Sequence, residues 1–340
     1  MSRHARTGDA TSASTSEGTS EATPDTPAGL PAGSWWGALK RTVKEYMDDG
    51  LGDWAAALTY YSVLSIFPAM LVIVSLVGLA GTSVSQDLID NVGKTAPGSV
   101  KDVLVNALTE LQRGRGGAGL VALLGLAAAF WSASGYVGAF MRASNVVYDI
   151  PEGRPLWKTL PLRVALTVAT LVLLAVSAIA VVVSGPLARK AGDLLGLESA
   201  AVTAWNIAKW PVLLLVVSLL FALLYWASPN ARHGFRWVSP GGVLAMLVWL
   251  AASAGFAFYV ANFGSYNKTY GSLAGLIVFL VWLWVTNVAI LLGAEFNAEL
   301  ERGRAIVGGH PEDREPYVVP RDTRTFDEDE LSDVRDHDRE

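Results

Sequence analysis

Six stretches of this chain, 54–86, 116–141, 164–188, 210–231, 237–267 and 269–294, contain no charged residue. Each is long enough, at about 20 residues or more, to cross a hydrocarbon core of about 30 Å as a helix. Inside that core every backbone N–H and C=O needs a partner within the protein, which leaves helices and closed barrels as the spanning structures. Runs this long and this uniformly apolar lack the alternation of a barrel strand. The expected fold class is therefore all-α: a polytopic membrane helix bundle of about six transmembrane helices. A hydrophobic fraction of 52%, a charged fraction of 17% and a mean hydropathy of +0.37 agree with this, being too apolar for a soluble domain of 340 residues.

Charge separates the core from its tails. The formal net charge is −5, yet residues 311–340 hold twelve Asp or Glu against five Arg, and residues 1–34 hold four acids against two Arg. The middle of the chain is thus mildly basic, as suits a protein beside anionic lipid. Residues 1–33 are rich in Ser, Thr, Ala, Gly and Pro, with too little apolar side chain to offset ordering entropy, and are expected to be a disordered tail. They contain no apolar run with a cleavage signature, so insertion is expected to begin at an internal helix. Residues 34–305 form the transmembrane domain, and 306–340 read as an acidic, disordered, solvated tail.

Lys and Arg near the span ends number eleven on the side of Lys40, Arg154, Arg232 and Arg302, and eight on the side of Lys94, Arg113, Arg189 and Lys268. The positive-inside rule then places the protein in the plasma membrane with both termini cytoplasmic. Trp35, Leu39, Val43 and Met47 recur every four residues, with Lys40, Arg41 and Lys44 off that stripe, which predicts an interfacial N-terminal helix. Residues 88–111 and 187–208 predict amphipathic outer-face helices. Pro161 and Pro211 are expected at helix starts, Ser239 as the N-cap before Pro240, and Pro68 as a kink inside the first span.

Enzyme chemistry finds little purchase. The chain has no cysteine, which removes thiolate metal sites and Cys nucleophiles, and His4, His233, His310 and His337 have no metal-ligand spacing. Gly114-Arg115-Gly116-Gly117-Ala118-Gly119 satisfies a dinucleotide pattern but follows no strand, and Gly93-Lys94-Thr95 lacks the first glycine of a phosphate loop. No cofactor, metal or nucleic acid is expected, and the chain is read as not an enzyme. The spans carry hydroxyls and amides rather than charges. These serve either as interhelical hydrogen bonds or as a polar path. Gly271 to Gly275, Ser134 to Gly138 and Ala251 to Gly255 have small residues four apart, read as packing faces within the chain or as a homo-oligomer seam. Asn287, Glu295 and Glu299 project from nearly one helix face about 18 Å long. Glu295 is expected to meet Arg142, Arg154 or Lys158, because an unpaired carboxylate at that depth is costly.

Several stretches together resemble the YihY/BrkB family of bacterial inner-membrane proteins: Ala57-Leu58-Thr59-Tyr60-Tyr61-Ser62 to Phe67-Pro68, then Asn145, Tyr148-Asp149, Glu152-Gly153-Arg154-Pro155, Pro229-Asn230, Asn262-Phe263, Tyr266-Asn267-Lys268, Tyr270-Gly271-Ser272 and Gly293-Ala294-Glu295 with Asn297. The order and spacing cover about residues 40–305. The resemblance implies the membrane fold. Labels attached to such proteins include ribonuclease BN and a serum-resistance factor, and lipid movement has been suggested for relatives. Since no metal-ligand cluster or base-stacking surface is legible, the nuclease label is disfavoured. The candidate polar lining or helix clamp comprises Tyr60, Tyr61, Ser65, Pro68, Asn145, Asp149, Glu152, Arg154, Asn262, Asn267, Tyr270, Asn287, Glu295 and Asn297. The leading expectation is a passive or partner-assisted conduit for a lipid or other amphipathic molecule. The alternatives are an envelope scaffold with protein partners and a membrane-embedded hydrolase. A lateral groove lined by Tyr60, Ser65, Asn262 and Asn287 favours the conduit, whereas interlocking of those side chains favours the scaffold.

Overall fold

The computed structural model describes residues 29–79, 118–182, 199–262, 272–312 and 314–337. Among them are eight α-helices and no strand: α1 (Ala32–Asp48), α2 (Leu51–Leu79), α3 (Ala118–Val147), α4 (Leu156–Val182), α5 (Ser199–Ala227), α6 (Pro240–Asn262), α7 (Ser272–Val307) and α8 (Glu328–His337). Helices α3 to α7 are each long and apolar enough to cross a membrane. The first expected span lies on α2, a 29-residue helix whose side chains are described as far as Ile66. The chain is an all-α membrane bundle, as its uncharged runs require. Residues 1–28 and 88–111 lie outside the described residues.

Four expectations change. Pro161 and Pro211 do not open their helices; both sit inside, in α4 and α5. The lost N–H is tolerated because neighbouring helices and local adjustment satisfy the freed carbonyl. Residues 199–208, expected on an outer-face helix, are the first turns of α5. The N-terminal stripe splits: Trp35 and Leu39 pack on α7 near Phe296, while Val43 and Met47 join Trp36 as exposed side chains. Three steps of four residues rotate about 120° around a 3.6-residue helix, so one stripe cannot face one partner throughout.

The fourth change concerns the acidic C-terminal stretch, expected to be solvated. Its residues return to the bundle instead. Arg232 N donates to Val319 O at 2.8 Å and Arg321 N to Asn230 O at 2.6 Å, around an isolated antiparallel bridge between Ala231 and Pro320. Phe326 is buried in the same core cluster as Val147, Tyr148 and Leu291. A few anchoring side chains hold this segment, and so sparse an anchor leaves no periodic apolar signal.

Among the described residues, burial is concentrated at one end of the bundle. There α3 and α5 end, α4 and α6 begin, and α7 runs out beneath α1. Phe140, Leu51, Leu58, Leu291 and Leu300 are fully enclosed there. Gly241 and Gly293 let α6 and α7 touch backbone to backbone, since a Cβ on Gly241 would lie 1.9 Å from Gly293 O. The opposite halves of the helices expose Leu123, Leu124, Trp131, Leu215, Phe258 and Leu276.

Candidate functional site

The buried end is built around two asparagines. Asn145, on the last turns of α3, accepts from Asn230 N at 2.7 Å through Oδ1 and donates through Nδ2 to Glu152 Oε2 at 3.1 Å. Asn230, in the α5–α6 connection, donates through Nδ2 to Pro151 O and Asp322 O, and its Oδ1 accepts from Asp322 N. Every polar group of Asn230 is thereby paired, as a fully buried amide requires. Arg154 grips Glu152 through Nε and Nη2, each at 2.7 Å, and reaches Ala227 O and Ser228 O, which the end of α5 leaves without helical donors. Lys158 pairs with Asp322 and holds that carboxyl below its ordinary range. Gly153 lies so close to Asp322 O that a Cβ would approach to 1.8 Å. The result is a polar plate joining both loops to the returning C-terminal segment.

A second cap closes the α6 start. Gly242 N donates to Ser239 Oγ at 3.0 Å, the N-cap expected for this helix. Asn297 from α7 adds to it, accepting from Gly241 N at 2.8 Å and donating to Ser239 Oγ. Deeper in the bundle, Asn287 is 3% exposed and accepts from Tyr136 Oη while donating to Thr59 Oγ1, both at 3.0 Å. This interlock ties α2, α3 and α7 together and leaves Asn287 no face toward a groove.

Other members of the expected lining separate. Tyr60 is exposed and packs edge-on against Tyr61, whose ring lies over Gly135. Ser65 Oγ donates to Tyr61 O one turn back, so it is satisfied within its own helix. The side chains of Pro68 and Asn262 and all of Asn267 and Tyr270 lie outside the described residues. Of the small-residue motifs, Gly135 and Gly138 pack closely, on Tyr61 and Arg163, whereas among the described residues nothing lies within 4 Å of a Cβ built on Gly255 or Gly275.

The expected basic partner of Glu295 is absent among the described residues. Arg154 is committed to Glu152 and Lys158 to Asp322, and Arg142 is exposed. Glu295 is 1% exposed and its Oε2 has no hydrogen-bond partner. It lines a cavity of about 340 Å³, counted to the open mouth, beneath α1. Glu45, Asp49, Asp149 and Glu299 line it too, with Arg302, Tyr148 and Tyr317. Arg41 and Arg302 pair with Glu299, and Arg302 also with Glu45; among the described residues no ion pair joins Asp49 or Asp149. Burial, then the neighbouring carboxylates, pushes Asp149 up to about 7 and Asp49 up to about 6. Asp149 adopts φ 50, a left-handed conformation that Asp and Asn tolerate better than most residues.

Tyr148 also borders a second cavity of about 350 Å³, counted to the open mouth, where His233, Arg236, Ser239, Asn297 and Glu301 converge. Tyr148 and His233 stack in parallel at 5.3 Å. Burial and the nearby Arg321 lower the imidazole to about 4, so it is neutral at pH 7. Sequence reasoning missed Asn230, Tyr136, Thr59, Asp49 and Asp322 as site residues. Only Asn230, an amide between buried helix ends, had a local signal.

Comparison with known proteins agrees with this architecture. The sequence model of the family described as Virulence factor BrkB matches residues 42–316. The ribonuclease-like protein YfkH of Bacillus subtilis is 32% identical over 257 residues, covering 76% of this chain and 92% of that protein. A UPF0761 membrane protein of Alkalilimnicola ehrlichii is 29% identical over 72% of this chain and 54% of its own length. One from Xanthomonas campestris is 25% identical over 77% and 60% respectively, so the chain spans little more than half of these two relatives. No solved structure matches the chain.

Proposed function

This multi-pass chain belongs to the virulence factor BrkB family of integral membrane proteins, and from that footing we propose that it handles a lipid or other amphipathic molecule taken laterally from the bilayer. The observation that carries this reading is the contrast between a polar, closely packed end and slack apolar halves. Only 11–28% of the residues in the spanning windows are buried. Exposed Trp131, Tyr60 and Trp210 mix aromatic and polar edges with Leu123, Leu124 and Leu276 on that surface. Acyl chains suit such a surface, whereas the plate of Asn145, Arg154 and Asn230 bars a continuous aqueous pore at the other end.

Reconstitution into vesicles carrying a fluorescent lipid tests the proposal. Faster transbilayer exchange than in protein-free vesicles is expected, and an unchanged rate across anionic and zwitterionic lipids would count against it. Basic residues on α1, the two loops and the end of α7 support a plasma-membrane orientation with this end cytoplasmic. Protease protection of a C-terminal tag in inverted vesicles contradicts that orientation; cleavage agrees with it.

A second reading, an envelope scaffold without transport or catalysis, is favoured by the interlock of Thr59, Asn287 and Tyr136, which closes the groove expected along α2 and α7. In-cell crosslinking that recovers the chain alone argues against it.

A further inference from the structure

The acidic cavity beneath α1 is not needed by a lipid-facing surface, and it holds Glu295, the one buried carboxylate among the described residues with an unpartnered oxygen. Asn145, Asn230, Arg154 and Asp322 are each answered by a partner. Glu295 is not: 99% of the residue is withdrawn from solvent, its Oε2 has no hydrogen-bond partner among the described residues, and four further carboxylates share its lining. An orphaned acceptor of this kind is costly unless something donates to it. Arg302 commits Nη1 to Glu45 and Glu299 and lies 4.4 Å from the Tyr317 ring, while its Nε, in the same lining, has no hydrogen-bond partner either.

We propose that this cavity is a binding site for a primary alkylammonium group, whose N–H donors satisfy Glu295 with Asp149 and Asp49 at the mouth. The lining selects this chemistry. A divalent metal asks for oxygens on most sides, and among the described residues no group of three or more Asp, Glu or His is set to hold one. Here Val147, Ala298, Val318 and the Tyr148 ring supply apolar walls. An ammonium on a short carbon chain presents donors on one side and CH₂ on the other, matching both, and an aromatic face adds cation–π attraction. The inference does not rest on lipid handling: it concerns the aqueous end of the bundle and is read by equilibrium binding.

The ammonium belongs either to a soluble amine or to a lipid headgroup. The test titrates the full chain in detergent with ethanolamine, choline and Mg²⁺ by calorimetry, then repeats the ethanolamine titration in nanodiscs with and without phosphatidylethanolamine. Saturable ethanolamine binding is expected, with choline at least tenfold weaker because it has no N–H donor. Glu295→Gln is expected to weaken ethanolamine at least tenfold. Asp149→Asn, which keeps a residue suited to φ 50 and so keeps the fold, should weaken it about threefold. Competition by phosphatidylethanolamine assigns the headgroup as the source, and its absence assigns a soluble amine. The proposal is overturned by no ethanolamine binding, by equal affinity for choline, by affinity unchanged in both variants with unaltered melting, or by Mg²⁺ being the cation whose binding alone depends on Glu295.

Discussion

The two ends of this bundle are built on different physics. At the loop end, buried polar groups are paired across elements far apart in sequence: Arg154 with the end of α5, Asn230 with Asp322, Asn297 with the start of α6. At the other end the described side chains that face outward are apolar, and among the described residues Gly255 and Gly275 have no neighbour within reach of a Cβ. Lipid is as apolar as leucine, so burial there brings no hydrophobic gain and the halves have no reason to close. Specific geometry therefore has to come from hydrogen bonds and close backbone contact at the loop end.

If that division holds, substitutions at the loop end are costly and those in the open half are mild. Arg154→Met strips Glu152 of its cationic partner, leaving it Asn145, and leaves two carbonyls unanswered. It is expected to lower stability by about 3 kcal/mol, read as denaturant or thermal unfolding in detergent, against under about 1 kcal/mol for Leu123→Ala. Gly241→Ala forces α6 from α7 and should cost about 2 kcal/mol by overpacking, while Gly275→Ala, with open space around it, should be neutral or gain about 0.5 kcal/mol from helix propensity. Equal effects of the two alanines would erase the contrast. Asn287→Leu removes two interhelical hydrogen bonds and should cost about 1 kcal/mol.

The smallest effect is a pH dependence confined to the loop end. Asp149 is raised to about 7 in the folded chain, so it remains protonated where the unfolded chain has ionised. Its stabilising contribution is full below the ordinary carboxylate range and is lost as pH rises to about 7. His233, lowered to about 4, acts oppositely: the unfolded chain takes up its proton first, and stability is lost as pH falls below about 6.5. The difference in melting temperature between wild type and Asp149→Asn isolates the first contribution. It should change between pH 4 and 7 and stay flat above.

The uncharged runs made the helices legible, because a backbone in hydrocarbon has one economical solution. Ser239 was legible for the same local reason, as a hydroxyl before Pro240. What escaped the sequence depends on elements brought together from a distance. Arg154 was read as one of three basic candidates for Glu295, and only the fold commits it to Glu152 and the end of α5. Arg321 and Asp322 sit in a stretch of acidic, aperiodic sequence whose docking rests on backbone pairing with Asn230. Glu295 was read as clamped because charge at depth needs an answer; the fold withheld the clamp, and that turns the residue from a structural expectation into a binding candidate.

The asymmetry itself is directly measurable, because the chain has no cysteine and single cysteines report without background. Spin labels at Trp131 and Leu276 in the open half, and at Phe140 and Leu291 in the sealed end, can be compared in bilayers by their relaxation with oxygen and with a water-soluble nickel reagent. High oxygen access at the first pair, with mobile spectra, and low access to both reagents at the second pair, with immobilised spectra, is the predicted result. Comparable immobilisation and oxygen exclusion at all four positions would contradict the account.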